Sequence, residues 1–281
     1  MKYAAVIFDI IESRRYIDRY DVQSILMDST AYLNRLYSYA IKKDVISSAG
    51  DEFQGLFKDL QTAFLYIRKL QLLIYPIKIR CGIGYGEIKY DVAEWSSSAI
   101  SGETYYLCRD AIDTLIKRKN NAIRFNTLSR YDRYLNEFCK SDIEIKARQS
   151  QTVRIIELIA DILYPIIPIE EDLNFYCNIL ENKLKLIEQE RWNKVIGRRT
   201  EPKTTNINFE ELFKARRTEN KFYSEDTFYM EDFWFHGMST CIAEIMNTSR
   251  QNIDRYVSLG KVKESRTMDK AIYDFLGEKL W

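Results

Sequence analysis

Two carboxylates in the first fifth of the chain could together bind a metal ion. Asp9 lies near the end of an apolar run, Tyr3 to Ile11, and Asp51 follows Gly50 in the turn of the next hairpin. If the two strands are neighbours in a sheet, both carboxylates emerge at the same edge, within reach of one cation. A Mg²⁺ site that also takes up phosphates is usually built from two such carboxylates. The alternative is that Asp9 caps the first connection and Asp51 is an ordinary turn residue.

The residues after the first strand offer a place for phosphate groups. Ser13, Arg14 and Arg15 begin the segment that follows Asp9. Backbone N–H groups at such a position, together with an arginine, are suited to hold a triphosphate. The sequence therefore predicts a nucleotide beside the two carboxylates.

The elements that must position these residues follow from hydrophobic periodicity. The predicted order over residues 1–126 is β-α-β-β-α-β-α-β, and its first six elements form the split β-α-β arrangement of ferredoxin-like domains. The strand pattern from Ile77 to Lys89 is interrupted by Gly82, Gly84 and Gly86. Glycine at that density predicts a kinked strand or a close approach of another backbone.

From about residue 127 the pattern changes to helices only. Helices are predicted from Thr152 to Leu163, from Glu170 to Val195, and from Ser239 onward, with a loop from Gly197 to Asn208. The sequence therefore predicts an α+β chain with an α/β domain over residues 1–126 and an all-α region over residues 127–281.

Four segments in order resemble a known family: VIFDIIESR (6–14), SAGDEFQGLF (48–57), IRCGIGYGEI (79–88) and ISGETYYLCRDAI (100–112). They resemble the SatD family, whose amino-terminal domain is similar to class III nucleotidyl cyclases and GGDEF diguanylate cyclases. The resemblance implies that Asp9 and Asp51, helped by the Ile10 carbonyl, hold Mg²⁺ or Mn²⁺. It also implies phosphates over the turn from Ile10 to Arg14, a nucleoside triphosphate or other nucleotide as ligand, and a homodimer.

The same comparison marks departures from the active cyclases. Ser47, which with Ser13 and Arg14 is a candidate nucleotide-binding residue, stands where a purine-contacting lysine is usual. Ala49 stands where the GGDEF enzymes carry a glycine. Arg109 matches the arginine that serves the transition state, but its asparagine partner falls on Tyr105 or Tyr106. Loss of one transition-state donor costs on the order of 10²–10³ in rate. Three readings therefore stay open: a nucleotide-responsive regulator, a divergent cyclase or phosphotransferase, and an adaptor with a degenerate palm.

A helix-turn-helix is predicted at about residues 239–258. Such a unit needs a small residue where its helices cross, apolar flanking positions and a turn between the helices. Ala243 is the small residue, Asn247 takes the turn, and Ser249 caps the second helix. The remaining core positions are assigned to Ile242, Met246, Ile253 and Tyr256.

The second helix of this unit carries side chains that suit DNA. Arginine, glutamine and asparagine read base edges, and serine and arginine suit phosphates. The outward residues are predicted to be Ser249, Arg250, Gln251, Asn252 and Arg255. The SatD resemblance also implies a helix-turn-helix, although the stretch from Arg198 to Phe235, rich in aromatic residues assigned to the core, departs from it. The alternatives are a protein-docking helix pair and a plain helical hairpin.

Composition limits the classes of function. The formal net charge is +1, from 42 basic and 41 acidic residues, which excludes a globally basic nucleic-acid coat. The single histidine, His236, excludes a histidine-rich zinc site. Five cysteines without a CxxC pair favour reduced thiols. The first apolar stretch is too short for a signal peptide and no apolar run suits a membrane span, so a cytoplasmic protein is expected.

Overall fold

The computed structural model describes residues 1–13, 19–88, 102–118, 123–167, 169, 172–195, 207–219, 234–278 and 281. Among these residues the chain forms one five-stranded sheet and ten helices, consistent with the predicted α+β class. It divides into two compact units, one of residues 1–144 with 271–281 and one of residues 145–270. Within the described residues, no helix combines the length and apolarity that crossing a membrane requires.

The first unit has the predicted order of elements. They are β1 (Lys2–Ile10), α1 (Arg19–Leu36), β2 (Ile41–Ala49), β3 (Glu52–Phe57), α2 (Leu60–Ile74), β4 (Ile79–Glu87), α3 (Glu103–Lys117) and β5 (Ile123–Asn126), followed by α4 (Asp132–Arg148). The strands lie in the order β2-β3-β1-β4-β5. The pairs β2–β3, β3–β1 and β1–β4 are antiparallel, and β4–β5 is parallel.

The two faces of the sheet carry different helices. On one face the rings of Phe8 and Phe53 stack with centroids 5.1 Å apart, and Phe57 packs edge-on against Tyr66 of α2. The hydroxyl of Tyr66 donates to the carbonyl of Thr30 in α1, which joins both helices on this face. On the other face α3 covers a buried cluster that is formed by Ala5, Ile7, Leu56, Tyr105, Cys108 and Ile112.

Two glycines of β4 let α3 lie directly on the sheet. A Cβ atom at Gly82 would come within 2.5 Å of the Cys108 carbonyl oxygen, and one at Gly84 would overlap the Thr104 carbonyl oxygen. The hydroxyl of Thr104 donates to the carbonyls of Tyr3 and Gly84 at 3.0 and 3.1 Å. The close backbone approach predicted from the glycine spacing is confirmed, and it fixes the height of α3 above the sheet.

The second unit is helical. It contains α5 (Gln151–Leu163), α6 (Leu173–Val195), α7 (Phe209–Glu219), α8 (Met238–Ile245) and α9 (Arg250–Leu259), with the first part of α10 (Val262–Gly277). The helix α5 is buried from Val153 to Leu163, and its Arg154 and Glu157 form a buried ion pair of 2.6 Å.

Several sequence predictions are refined in this part of the chain. The helix predicted from Glu170 begins at Leu173. The stretch from Arg198 to Phe235 contains α7, while five of its aromatic residues lie outside the described residues: Phe222, Tyr223, Phe228, Tyr229 and Phe233. All five cysteines are free; Cys81, Cys108 and Cys139 are buried, whereas Cys177 and Cys241 are partly exposed.

Candidate functional site

A row of charged side chains crosses the sheet on the face that α3 covers. In the antiparallel registers, Asp9 of β1 lies opposite Glu52 of β3 on one side and opposite Arg80 of β4 on the other. Directly opposed residues project from the same face of a sheet. By the two-residue alternation of β1, that is also the face of Ala5 and Ile7 in the cluster under α3. We call Glu52, Asp9 and Arg80 the charged row.

Arg80 holds Asp9 with both ends of its guanidinium group. Its Nε donates to Oδ1 at 2.6 Å and its Nη2 donates to Oδ2 at 2.9 Å. The side chains of Arg80 and Asp9 are 21% and 20% exposed. A two-point, partly buried ion pair of this geometry is among the stronger charge-assisted contacts in proteins. The Asp9 carboxylate therefore already has a cationic partner in this structure.

Arg109 of α3 holds Glu52 in the same manner. Its Nη1 donates to Oε2 at 2.5 Å and its Nη2 donates to Oε1 at 2.8 Å. The hydrogen bond from Arg109 lowers the pKa of Glu52, against the opposing effect of partial burial, and the Ser48 hydroxyl, which donates to Oε1 at 3.0 Å, lowers it further. Glu52 in turn raises the pKa of Arg109. Thus α3, which packs directly on the sheet at Gly82 and Gly84, places a second arginine beside the charged row.

Asp51 lies next to the charged row, in the tight turn between β2 and β3. It is exposed and comes directly before Glu52. The preceding Gly50 has a φ of 59°, in the left-handed region that glycine adopts without strain. Because Asp9 pairs with Glu52, the residues Asp9 and Asp51 belong to the same end of the β1–β3 pair.

The backbone of Ile10 faces this turn. The N–H of the next residue, Ile11, donates to the Lys78 carbonyl on the β4 side at 2.8 Å. Successive residues of a strand direct their backbone groups to opposite sides. The Ile10 carbonyl is therefore directed towards β3, and one further step of the β1–β3 register puts Ile10 opposite Asp51.

The other predicted nucleotide-binding residues are distributed differently. Ser13 is half-buried in the connection after β1, three residues beyond the end of the strand, whereas Arg14 lies outside the described residues. Ser47 pairs with Phe53 and is exposed. Since Phe53 stacks on Phe8, Ser47 lies on the sheet face opposite the charged row. The structure does not bring Ser47 to the face of Asp9.

Few of the described residues at this end of the sheet could supply oxygen ligands to a metal ion. Among the residues that the structure describes there is no group of three or more His, Cys, Asp or Glu side chains arranged to hold a metal ion. The end of β1 and the β2–β3 turn instead offer oxygen atoms from Asp9, Glu52 and Asp51, together with the Ile10 carbonyl. Two of these carboxylates are bound by arginines.

Sequence reasoning missed Glu52 and Arg80. Glu52 is part of the GDEF turn, and its place beside Asp9 depends on the strand register. Arg80 lies in the glycine-rich strand β4, and nothing in the local sequence marks it as the partner of Asp9. A signal was available in the alternation of β4, since Arg80, Gly82 and Gly84 fall on one face and two of them contact α3.

The predicted helix pair at residues 239–258 corresponds to α8 and α9. Asn247 in the connection has a φ of 49°, and the hydroxyl of Ser249 accepts the N–H of Asn252 at 3.3 Å as an N-cap. The predicted core positions Ile242, Ala243, Met246 and Ile253 are buried. The five residues predicted to face outward are all exposed: Ser249, Arg250, Gln251, Asn252 and Arg255.

One position of this helix pair was predicted wrongly. Tyr256 was assigned to the core, but it is 37% exposed, whereas Val257 is 2% exposed. Four residues separate Ile253 from Val257, so both lie on the same side of α9. The next buried residue of α9 after Ile253 is therefore four residues further on, and Val257 occupies the core position that was assigned to Tyr256.

Comparison with models of protein families gives a match to the SatD family over residues 3–186. This range contains the sheet except for Lys2, the charged row, α1 to α5 and most of α6, whereas α8 and α9 lie beyond it. None of the curated proteins matches the chain.

Proposed function

The chain belongs to the SatD family, and from this premise we propose that it is a regulator whose first unit binds a divalent metal ion with a nucleotide and whose helices α8 and α9 bind DNA. The nucleotide part is supported by the pairing of Asp9 with Glu52 near the end of β1, together with Asp51, which comes directly before Glu52 in the β2–β3 turn. The DNA part is carried by the exposed polar side of α9.

The strand arrangement supports a ferredoxin-like, cyclase-type palm. In the order β2-β3-β1-β4, the strands β1 and β2 run parallel with the antiparallel β3 between them, as follows from two successive antiparallel pairs. This order and these strand directions match those of the split β-α-β arrangement. In such a palm the end of β1 and the following turn form one rim of the sheet, which is where the acidic residues lie.

The residues at this rim fit Mg²⁺ or Mn²⁺ by their chemistry. Both ions prefer oxygen ligands from one or two carboxylates and complete their shells with water and phosphate oxygens. Asp9, Asp51 and the Ile10 carbonyl would hold the ion, which when bound supplies charge neutralisation for the phosphates. To bind the ion, the Asp9 carboxylate would have to give up its contact with Arg80, and the freed guanidinium could then donate hydrogen bonds to phosphate oxygens. Ser13 and Arg14 would contact the phosphates from the connection after β1.

Calorimetric titration tests the metal and nucleotide part. Mn²⁺ alone and each nucleoside triphosphate with Mn²⁺ are titrated into the full chain, into the Asp9→Asn/Asp51→Asn variant, and into Asp28→Asn as a matched control on α1. We expect binding to the wild type and to the control, and loss of at least tenfold in affinity in the double variant. Equal binding in all three proteins, or none in the wild type, would refute the metal site.

Retention of duplex DNA against salt concentration tests the α9 part. Each arginine that contacts a phosphate contributes close to one unit of slope in log affinity against log salt. We expect Arg250→Ala/Arg255→Ala to lower the slope by about 1–2. The control Lys140→Ala/Arg148→Ala removes two exposed charges from α4 and should leave the slope unchanged. An unchanged slope in the α9 variant would remove DNA from the proposal.

Catalysis is a second candidate, favoured by the position of Arg109 on Glu52 next to the turn. An arginine placed there can stabilise charge that develops on a transferring phosphoryl group. Incubation with each nucleoside triphosphate and Mn²⁺, with and without DNA, followed by mass spectrometry, tests for a product. A product that disappears in Arg109→Gln supports a divergent cyclase or phosphotransferase, and no product under any condition excludes it. If the protein also binds no nucleotide, the results favour the hypothesis of a non-catalytic adaptor with a degenerate palm.

A further inference from the structure

Two arginine–tyrosine pairs lie together where α4 begins. Arg130 precedes Tyr131 and Arg133 precedes Tyr134, so the same pair recurs after three residues. The guanidinium carbon of each arginine lies 4.9 Å from the ring centroid of its tyrosine. The Nη2 atoms donate to the tyrosine hydroxyls at 2.7 and 3.1 Å. We call these four residues the Arg–Tyr surface.

The acidic residues of this segment are engaged elsewhere. Asp132 accepts the N–H and the hydroxyl of Thr127 at 2.8 and 2.6 Å. Glu137 pairs with Lys140, one turn further along α4, at 3.8 Å. Among the described residues, the contacts of Arg130 and Arg133 are with tyrosines and none is an ion pair. The Arg–Tyr surface therefore carries two positive charges that no described carboxylate neutralises.

The aromatic rings give this surface flat, supported faces. Tyr131 packs edge-on against Phe275 and Trp281, with centroids 6.1 and 6.4 Å away. Tyr134 is 49% exposed. A hollow of about 400 Å³ is lined by Arg130, Tyr131, Arg133 and Tyr134 alone. One ring is thus anchored on the protein, while the other is open to solvent beside two guanidinium groups.

We propose that the Arg–Tyr surface is a binding site for single-stranded nucleic acid. Such sites combine positive charges that follow the phosphates with aromatic rings on which bases stack. A single strand fits better than a duplex, because only unpaired bases expose their faces to a side chain. Arg130 and Arg133 contact phosphates, and Tyr134 stacks on a base above the hollow. This site uses different residues from the α9 surface and from the charged row, so it stands independently of the function proposed above.

Fluorescence anisotropy with labelled 20-nucleotide dT and rU strands tests the charge part on the full chain. Each phosphate contact to a single strand contributes about 0.7 to the slope of log affinity against log salt. Arg130→Gln/Arg133→Gln should therefore lower the slope by about 1.4. The matched control Lys140→Gln/Arg148→Gln removes two exposed charges from the same helix and should bind as the wild type does. No binding by the wild type at low salt, or equal slopes in the variant and the wild type, would overturn the proposal.

Tyr134→Leu separates stacking from plain attraction between charges. It keeps both arginines and an apolar side chain, so the fold and the charge are unchanged. Loss of a stacked base should weaken the affinity about fivefold or more. Inorganic polyphosphate of similar length should compete poorly with the oligonucleotide. If polyphosphate competes equally and Tyr134→Leu binds normally, the surface is only an anion-attracting patch and the proposal fails.

A last comparison excludes binding through α9. The strands are titrated into Arg250→Ala/Arg255→Ala, which leaves the Arg–Tyr surface intact. Affinity within about twofold of the wild type supports the site on α4. Abolished binding in this variant would assign the single strand to α9 and overturn the proposal, while failure of the duplex experiment above would leave it standing.

Discussion

Asp9 and Glu52 face each other directly across the β1–β3 pair, and a different arginine neutralises each carboxylate. Like charges directly opposed on a sheet destabilise it. Arg80 approaches from the neighbouring strand and Arg109 from the helix above, so the four groups together carry no net charge. Each acid on this sheet face is therefore paired with an arginine of its own. A cation that bound Asp9 as proposed would have to displace Arg80.

Removal of Arg80 should therefore favour the metal ion. Arg80→Gln leaves Asp9 partly buried without its partner, which should lower the free energy of unfolding by about 1–3 kcal/mol in the absence of metal. A ligand that binds only the folded state raises stability according to its affinity. Mn²⁺ should raise the melting temperature of Arg80→Gln more than that of the wild type, with Arg80→Lys between them. Thermal unfolding over a series of Mn²⁺ concentrations measures this, and equal shifts would contradict the displacement of Arg80 by the ion.

The Glu52–Arg109 pair should make stability depend on acid pH. The folded-state pKa of Glu52 lies below its ordinary value, chiefly because Arg109 donates hydrogen bonds to the carboxylate. The stabilisation is therefore fully present above the ordinary value and is lost as the pH falls through the lowered one. Arg109→Gln should melt below the wild type at pH 6. The gap should begin to narrow below the ordinary glutamate pKa of about 4.3 and should close below the lowered pKa of Glu52. Melting temperatures from pH 6 to pH 3 measure it. Glu52→Gln, which does not titrate, is the control, and Arg109→Gln in that background should give a gap independent of pH.

The elements of the first unit could be predicted from the sequence, but the partners of the acidic residues could not. Apolar runs and turn signals fix where strands start and stop, and they gave the order from β1 to β5. The partner of Asp9 depends on the register between strands, and a slip by one residue moves every side chain to the other face. Nothing local to Arg80 or Glu52 sets that register. It is set by packing, including the Phe8–Phe53 stack.

The glycine prediction succeeded for a related reason. A glycine in a strand can be read directly from the sequence, and the space left by its missing side chain admits a neighbouring helix backbone whatever residues that helix carries. The residue that this helix brings to the row, Arg109, was singled out only by resemblance. Its contact with Glu52 depends on the height and rotation of α3, which the sequence pattern alone does not specify.

Filling the gap under α3 should disturb the fold and the site together. A Cβ atom at Gly84 overlaps the backbone of Thr104 and Cys108, so α3 must shift. Gly84→Ala should lower the free energy of unfolding by about 1–3 kcal/mol or more. The matched control is Gly86→Ala, whose nearest neighbour is the end of the Glu103 side chain at 3.0 Å, and it should cost less than about 1 kcal/mol. Urea denaturation measures both, and equal costs would show that α3 moves freely.

The corrected orientation of α9 gives a prediction that separates two adjacent residues. Val257 is buried and Tyr256 is partly exposed. Val257→Ala removes two buried methyl groups and leaves a cavity, so it should lower the free energy of unfolding by about 2 kcal/mol. Tyr256→Ala removes a larger side chain from the surface and should cost less than about 1 kcal/mol. Urea denaturation of both variants decides between the two orientations. A larger cost for Tyr256→Ala would restore Tyr256 to the core and would rotate the face that α9 presents, because Arg255 and Tyr256 are neighbours on the helix.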